Sequence, residues 1–271
     1  MHKFLTDVID PRPLALCRIL VGVVAVWFSF EWVRVLARAS SGQYLALPVL
    51  EALPLLSPDF VRALFVVSIV AAVAMILGVA GRLPAIMVAT TAAVVLLIEQ
   101  QTYSNHMVLL MMLAAFLGVS GSASAWRFSR SPRATSVSYW PAFLIQVLVT
   151  TLYAWTALSK VNPQYLSGEV LSTFLQGWVP IPEQLLPVAA VSSIAAEAFL
   201  AIALWIPRLR KLAFVVGAGL HIGIVVLLDS PAPLIGFGLL MATGYILFAW
   251  AAPDRILSGM RLVGQSSSKA P

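Results

Sequence analysis

Apolar runs recur along this chain from residue 13 to residue 252, and most approach the length of a membrane-spanning helix. A helix that crosses a bilayer needs about 20 mainly apolar residues, because the hydrocarbon core is about 30 Å thick. Eight such runs are found, at residues 13–36, 60–79, 83–98, 106–119, 140–158, 185–206, 212–228 and 234–252. No polar block of domain size separates them, which excludes a globular enzyme held by a single anchor.

The composition agrees with a membrane location. Hydrophobic residues make up 61% of the 271-residue chain and charged residues only 10%, whereas a soluble domain is about 25% charged. The runs are continuously apolar and lack the alternation of lipid-facing strands, which excludes a membrane β-barrel. Inside a bilayer every backbone polar group must find a partner within the protein, and once a barrel is excluded only a helix provides these partners. We therefore predict an all-α polytopic membrane bundle of about eight transmembrane helices.

The distribution of basic residues predicts the topology. With the N-terminus inside, twelve of the 17 Lys and Arg residues fall on the inner side, and Arg34, Arg38, Arg62 and Lys160 fall on the outer side. Cytoplasmic loops carry the excess of basic residues in membrane proteins. We expect both termini to be cytoplasmic, in a bacterial cytoplasmic membrane. The net charge of +6 is thus explained by topology, and we expect no nucleic-acid partner.

The chain is predicted to form one membrane domain over residues 1–257. The Ser- and Arg-containing segment 120–138 is predicted to be a cytoplasmic loop that divides four spans from four. Residues 258–271 are predicted to be a disordered cytoplasmic tail, because this segment is polar and has few residues that could form a core.

The ionisable residues in the predicted spans include Glu31, near the outer end of the first span, and three further residues: Arg18, Glu197 and His221. Ionisable groups inside a bilayer usually face protein or a water-filled cavity, and many have a function. We predict a buried polar network of these three residues, which can be structural as readily as functional. The single cysteine, Cys17, cannot form an internal disulfide, and we predict no metal site.

Two outer loops carry the polar residues that suggest a binding site. The loop at 99–106 reads Glu-Gln-Gln-Thr-Tyr-Ser-Asn-His and holds no Lys or Arg, so it can form hydrogen bonds with an uncharged head group such as a quinone ring. The loop at 159–169 is followed by a short apolar stretch at 170–175. That stretch predicts a re-entrant or interfacial helix, which would roof an outward-facing pocket. A lysine in such a pocket, Lys160, can act as a base because low dielectric disfavours its charged form.

Four stretches, in order along the chain, resemble a known family. They are Asp-Pro-Arg-Pro-Leu-Ala-Leu-Cys-Arg-Ile-Leu-Val-Gly at 10–22, Asn105-His106, the spacing of Tyr153, Lys160, Tyr165 and Gly168, and His221 with Gly236 beyond it. Together they resemble the membrane domain of the vitamin K-dependent γ-glutamyl carboxylases and their bacterial relatives, the horizontally transferred transmembrane domain family. The sequence departs from the family's pattern at Ala157, Ser159, Asn162 and Tyr165, where the family often has Gly, Lys, Asp and Trp.

The resemblance implies roles for individual residues. Lys160 would be the base that deprotonates a reduced, vitamin K-like quinone, and His106 would stabilise the oxyanion formed. The residues expected to contact the quinone or substrate are Tyr103, Asn105, Tyr153, Tyr165 and Gly168.

The sequence leaves the function open between two classes. The first is a carboxylase-like membrane enzyme that binds a quinone or similar lipid and performs an oxygen- or redox-linked modification. The second is a non-catalytic helper, for toxin maturation or complex assembly, in which the same polar residues are structural. A transporter is less favoured, because the chain has no evident repeat. We expect no classical glutamate carboxylation, since no lumenal domain is evident, and a separate soluble or membrane protein can be a partner.

Overall fold

The computed structural model describes residues 7–41, 45, 47, 57–128, 134–179 and 181–254. The helices in this part of the chain are α1 (Arg12–Ala39), α2 (Pro58–Leu77), α3 (Leu83–Ile98), α4 (Asn105–Val119), α5 (Trp140–Ser159), α6 (Pro163–Leu166), α7 (Glu169–Phe174), α8 (Leu186–Ala203), α9 (Arg210–Leu227) and α10 (Pro231–Trp250). The same part of the chain also contains two short strands, β1 (Val8–Ile9) and β2 (Val137–Ser138). The predicted tail at 258–271 lies outside the described residues, as does most of the arginine-containing stretch 127–133.

Each of the eight predicted spans is a helix in the structure. Within the described residues, six helices are long and apolar enough to cross a bilayer: α1, α2, α5, α8, α9 and α10. The other two, α3 and α4, have 16 and 15 residues, and at 1.5 Å per residue they reach about 24 Å or less. The all-α membrane bundle is therefore confirmed, and the chain is an integral membrane protein.

The helices form two compact units, with the division between residues 142 and 143. The sequence predicted one domain over residues 1–257. It also predicted a loop at 120–138 between the first four spans and the last four, and the division lies just after that loop. In the first unit α1 packs against α2, α2 against α3, and α3 against α4. The strands β1 and β2 pair antiparallel in this unit, with Val8 opposite Ser138.

Arg18 holds three parts of the first unit together. Its side chain is buried in α1 and donates hydrogen bonds to five backbone carbonyls, those of Met75, Ile76, Ser122, Ala125 and Trp126. Two of these carbonyls belong to the last turn of α2, where a helix leaves its carbonyls without internal partners and carries partial negative charge. The other three belong to the chain that follows α4. Arg18 therefore caps α2 and fixes this loop.

Asp10 organises the entry to α1. Its carboxylate accepts hydrogen bonds from the backbone nitrogen of Arg12 at 2.9 Å and from the Arg12 Nε at 2.7 Å. These bonds hold the pKa of the exposed Asp10 carboxyl below its ordinary value. The Asp-Pro-Arg sequence at the start of the first span is thus explained by local structure, because the carboxylate satisfies an amide at the helix N-terminus.

The second unit contains α5 to α10. Helix α9 packs against α8 and α10, and α6 and α7 pack against α8. The chain after α7 is tied to the end of α9 by a β-bridge between Leu175 and Leu228. Next to this bridge, the backbone nitrogen of Gln176 donates to the Leu227 carbonyl at 2.9 Å and that of Asp229 donates to the Phe174 carbonyl at 2.7 Å. The C-terminal end of the α6–α7 segment is therefore fixed to the end of α9.

The predicted topology has a direct test. We expect single cysteines at the exposed positions Gln101 and Gln164 to react with a membrane-impermeant maleimide in intact cells, because both lie in loops predicted to be outside. A cysteine at the exposed Arg208, in a loop predicted to be cytoplasmic, is the control and is expected to react only after permeabilisation. Reaction of Gln101→Cys and Gln164→Cys only after permeabilisation would refute the topology.

Candidate functional site

The segment predicted to roof a pocket folds as two short helices, α6 and α7. Asn162 caps α6, since its side-chain oxygen accepts a hydrogen bond from the Tyr165 nitrogen at 2.9 Å, and Pro163 occupies the first turn. Both residue types are favoured at these positions of a helix N-terminus. Between the two helices Gly168 adopts φ +82°, the left-handed region in which glycine carries no steric penalty. These local signals turn the chain back towards α8.

Gly168 also allows a close approach between the roof and α8. A Cβ at this position would lie 2.8 Å from the carbonyl carbon of Leu186 and 3.0 Å from the nitrogen of Pro187. We expect Gly168→Ala to lower the free energy of unfolding by about 1–3 kcal/mol, because it combines backbone strain with a clash against backbone atoms. Thermal unfolding in detergent measures this, with Gly177→Ala as the control, since a Cβ at Gly177 meets nothing within 4 Å. Equal stability of the two variants would contradict the prediction.

A cavity of about 480 Å³ lies against the roof, within the second unit. Helices α6, α7, α8 and α9 line it, and Lys160, the residue after α5, also lines it. Most of the lining is apolar, and the polar side chains in it are Lys160, Tyr165, Ser192 and Ser193. An apolar cavity of this size with a few convergent polar groups is typical of a small-molecule site.

Lys160 forms an ion pair at the cavity wall. Its Nζ lies 2.7 Å from Oε1 of Glu197, whose side chain is only 7% exposed. The other carboxylate oxygen, Oε2, is buried and accepts no hydrogen bond from the residues that the structure describes. The ammonium also lies 5.3 Å from the centroid of the Tyr165 ring. The pair therefore places an amine, and a carboxylate that can exchange a proton with it, beside an apolar cavity.

Tyr165 connects the roof to α8. Its hydroxyl lies 2.8 Å from the Ser193 Oγ, which itself donates to the Ala190 carbonyl at 2.9 Å. Because a serine hydroxyl has one proton, Tyr165 is the donor to Ser193. The side chain of Tyr165 is buried. Its hydrogen bond to Ser193 holds α6 against α8 and orients the Tyr165 ring that Lys160 approaches.

Tyr153 stands at the centre of a second polar cluster in this unit. Its hydroxyl lies 2.7 Å from Nε2 of His221 and 2.7 Å from the hydroxyl of Tyr245. Gly217 leaves the room for this arrangement, because a Cβ there would collide with the Tyr245 ring. The cluster satisfies polar groups of α5, α9 and α10 inside the bundle, as buried polar networks must.

The predicted network of Arg18, Glu197 and His221 is divided among three sets of hydrogen bonds. Arg18 binds backbone carbonyls of the first unit, Glu197 pairs with Lys160, and His221 binds Tyr153. Each of the three residues is thus bonded to protein. That they join in one network stays a prediction.

The residues predicted from the 99–106 loop belong to the first unit. His106 is half-buried, with its ring centroid 4.9 Å from that of Phe28. Tyr103 is 67% exposed, and Asn105 is exposed at the first position of α4. Ser104 caps this helix by accepting from the Met107 nitrogen at 3.3 Å. The roles expected for His106, Tyr103 and Asn105 in binding and catalysis stay predictions.

Sequence reasoning missed two residues of these clusters, Ser193 and Tyr245. Both lie in apolar spans and neither carries a charge at neutral pH, so a search for ionisable groups passes over them. The adjacent serines at 192–193 and a tyrosine hydroxyl in the middle of the last span were the available signals. Among the described residues, no group of three or more His, Cys, Asp and Glu side chains could hold a metal ion.

Comparison with known proteins identifies the family. No curated protein and no solved structure matches the chain. A family model described as the HTTM domain matches residues 7–229, which include Lys160, Glu197 and the cavity lining from both α8 and α9. This match extends over more than half of the sequence. The chain therefore belongs to the HTTM domain family, the membrane-domain family of vitamin K-dependent carboxylase.

Proposed function

We propose that this HTTM protein binds a reduced quinone or similar lipid in the cavity of its second unit and uses Lys160 as a base in an oxygen- or redox-linked modification. The observation that carries the proposal is the position of Lys160, which lies in the wall of a mostly apolar cavity and is paired at 2.7 Å with the buried Glu197. Apolar volume favours a lipid ring or chain, and an amine at its edge favours proton transfer.

The residues present fit a quinone. The cavity of about 480 Å³ is large enough for an aromatic ring with part of a chain, and Tyr165 and Ser193 supply hydroxyl groups beside Lys160. A reduced quinone, when bound, supplies ring hydroxyl groups and the electrons for such a modification. The apolar lining from α7, α8 and α9 would exclude water from it.

Lys160 and Glu197 can move a proton between them. Transfer of a proton from the Lys160 ammonium to Glu197 leaves a neutral amine at the cavity wall, and this amine can then accept a proton from a ligand hydroxyl. The carboxylate also holds Nζ in place, because the ion pair fixes the end of a flexible side chain. Lys160 would thus be the base and Glu197 the group that orients it and takes up its proton.

Ligand retention tests the proposal. We expect solvent extraction and mass spectrometry of the purified protein to detect a bound quinone. Ala196→Phe should abolish this retention, because Ala196 lines the cavity and the larger ring would fill it. The matched control is Ala195→Phe, a substitution at the neighbouring exposed position outside the lining, which should retain the quinone. Absence of any quinone from the wild-type protein, purified in mild detergent and supplied with naphthoquinone, would refute the proposal.

The helper function is the second candidate, and the same contacts favour it in one respect. Lys160 and Glu197 form an ion pair, and the Tyr153 hydroxyl lies within hydrogen-bond distance of His221 and Tyr245. Such pairing is expected of groups that only stabilise a bundle. In this case the chain would act through a separate soluble or membrane partner protein. Substitution of Lys160 by arginine distinguishes the two functions.

A further inference from the structure

Thr156 lies on the face of the α5 helix that leads to Lys160. The backbone nitrogen of Lys160 donates to the Thr156 carbonyl at 3.3 Å, so the helical turn continues to Lys160. Residues four apart lie on the same side of a helix. Lys160 contacts α8 through Glu197, and the Thr156 side chain lies beside the same carboxyl group. An amine, a carboxyl group and a hydroxyl group are therefore brought together between α5 and α8.

The proton of the Thr156 hydroxyl is directed away from Glu197. Its Oγ1 donates to the carbonyl of Leu152 at 2.9 Å and to that of Tyr153 at 3.1 Å. Because a carbonyl can only accept, Thr156 is the donor in both contacts, and the lone pairs of Oγ1 remain available to an acidic proton. Among the described residues, none donates a hydrogen bond to the buried Oε2 of Glu197.

This arrangement suits a protonated Glu197 better than an ionised one. An ionised carboxylate only accepts hydrogen bonds, and a buried oxygen that receives none is costly. A carboxylic acid has one O–H to donate. With its proton on Oε2, Glu197 can donate to Thr156, while its Oε1 still accepts a hydrogen bond from Lys160. The lone pair of a neutral Lys160 Nζ is then free.

We propose that Thr156 is a positioning residue, which accepts the proton-bearing Oε2 of Glu197 and thereby stabilises the neutral form of Lys160. One N–H bond of Lys160 breaks and one O–H bond of Glu197 forms, and no electrons are exchanged. Rotation of the carboxyl group then turns the new O–H towards Thr156. If this O–H stayed against Nζ, it would occupy the lone pair that a base needs. The inference rests on the proposed function for the use of this amine, but the state of the pair is measurable without a ligand.

Acylation of Lys160 by acetic anhydride measures the neutral amine, because an ammonium group does not react. The rate is followed by mass spectrometry of the peptide that contains Lys160, in purified protein in detergent without added ligand. We expect Thr156→Val, which replaces the hydroxyl by a methyl group, to lower the rate at neutral pH about tenfold, the effect of losing one buried hydrogen bond. Thr156→Ser keeps the hydroxyl and should react at the wild-type rate.

Thr150→Val is the matched control. Thr150 also lies on α5, and its hydroxyl donates to the carbonyls of Gln146 and Val147 at 2.9 Å and 3.1 Å. The control therefore loses the same kind of hydroxyl about 15 Å along the helix from Lys160, and it should react at the wild-type rate. A pH series separates protonation from access. The rate of Thr156→Val should approach the wild-type rate at alkaline pH, where the amine loses its proton to solvent, whereas poorer access would lower the rate at every pH.

Several results would overturn the role of Thr156. An unchanged or faster reaction of Thr156→Val at neutral pH would do so, since a faster reaction would mean that the hydroxyl stabilises the carboxylate. An equal loss in Thr156→Ser, or a loss at every pH, would assign the effect to packing. Failure of the wild-type Lys160 to react at neutral pH would show an ionised pair. The proposed function would stand in each case, because quinone retention and Lys160→Arg test it separately.

Discussion

Lys160→Arg is expected to abolish the activity of the protein while leaving its fold and its quinone retention nearly unchanged. Arginine keeps the positive charge and can form a two-pronged ion pair with Glu197, so the buried carboxylate stays paired. The guanidinium cannot give up its proton at accessible pH, and so it cannot act as a base. Loss of a general base typically costs a factor of about 10² to 10⁴ in rate.

The measurable outcome is complementation of the phenotype of a gene deletion. We expect Lys160→Arg to fail, and Lys211→Arg, at an exposed position on α9, to complement fully. Lys160→Ala is the weaker test, because it leaves Glu197 buried without its partner and breaking a buried pair costs about 3–5 kcal/mol. Full complementation by Lys160→Arg would remove the catalytic role and leave the helper function.

Arg18→Met is expected to cause a large loss of stability. It replaces a buried guanidinium by an unbranched apolar chain and leaves five backbone carbonyls without this donor. Each buried polar group that loses its partner costs about 1–3 kcal/mol. Since some of these carbonyls can find other donors, we expect the free energy of unfolding to fall by about 3 kcal/mol or more. Thermal or denaturant unfolding in detergent measures the loss.

Two further variants make this prediction specific. Arg34 lies on the same helix at an exposed position. Arg34→Met should change the free energy of unfolding by less than about 0.5 kcal/mol. Arg18→Lys should give an intermediate loss, because one ammonium nitrogen cannot reach carbonyls of both α2 and the loop after α4. Wild-type stability of Arg18→Met would show that other groups satisfy these carbonyls.

The helices were largely determined by the sequence. All eight predicted spans are helices, and their ends differ from the prediction by three residues or fewer, because a continuous apolar run in a bilayer has no other way to satisfy its backbone. The roof was also predicted, since an apolar stretch of six residues at 170–175 is too short to span. The pairing of β1 with β2 was not predicted, because two-residue strands carry no readable periodicity.

The polar partnerships were decided by the tertiary structure alone. From the sequence, Arg18, Glu197, His221 and Lys160 were recognised as costly residues in or beside spans, because burial of charge is penalised whatever the fold. Which atoms bond to these groups depends on packing. Arg18 donates hydrogen bonds to carbonyls at the end of α2, and Glu197 forms an ion pair with Lys160. A hydrogen bond needs atoms within about 3 Å, and sequence spacing fixes such distances only within one helix. The sequence by itself thus determined the membrane helices and the residues that need partners, whereas packing between helices decided the partners and the cavity beside Lys160.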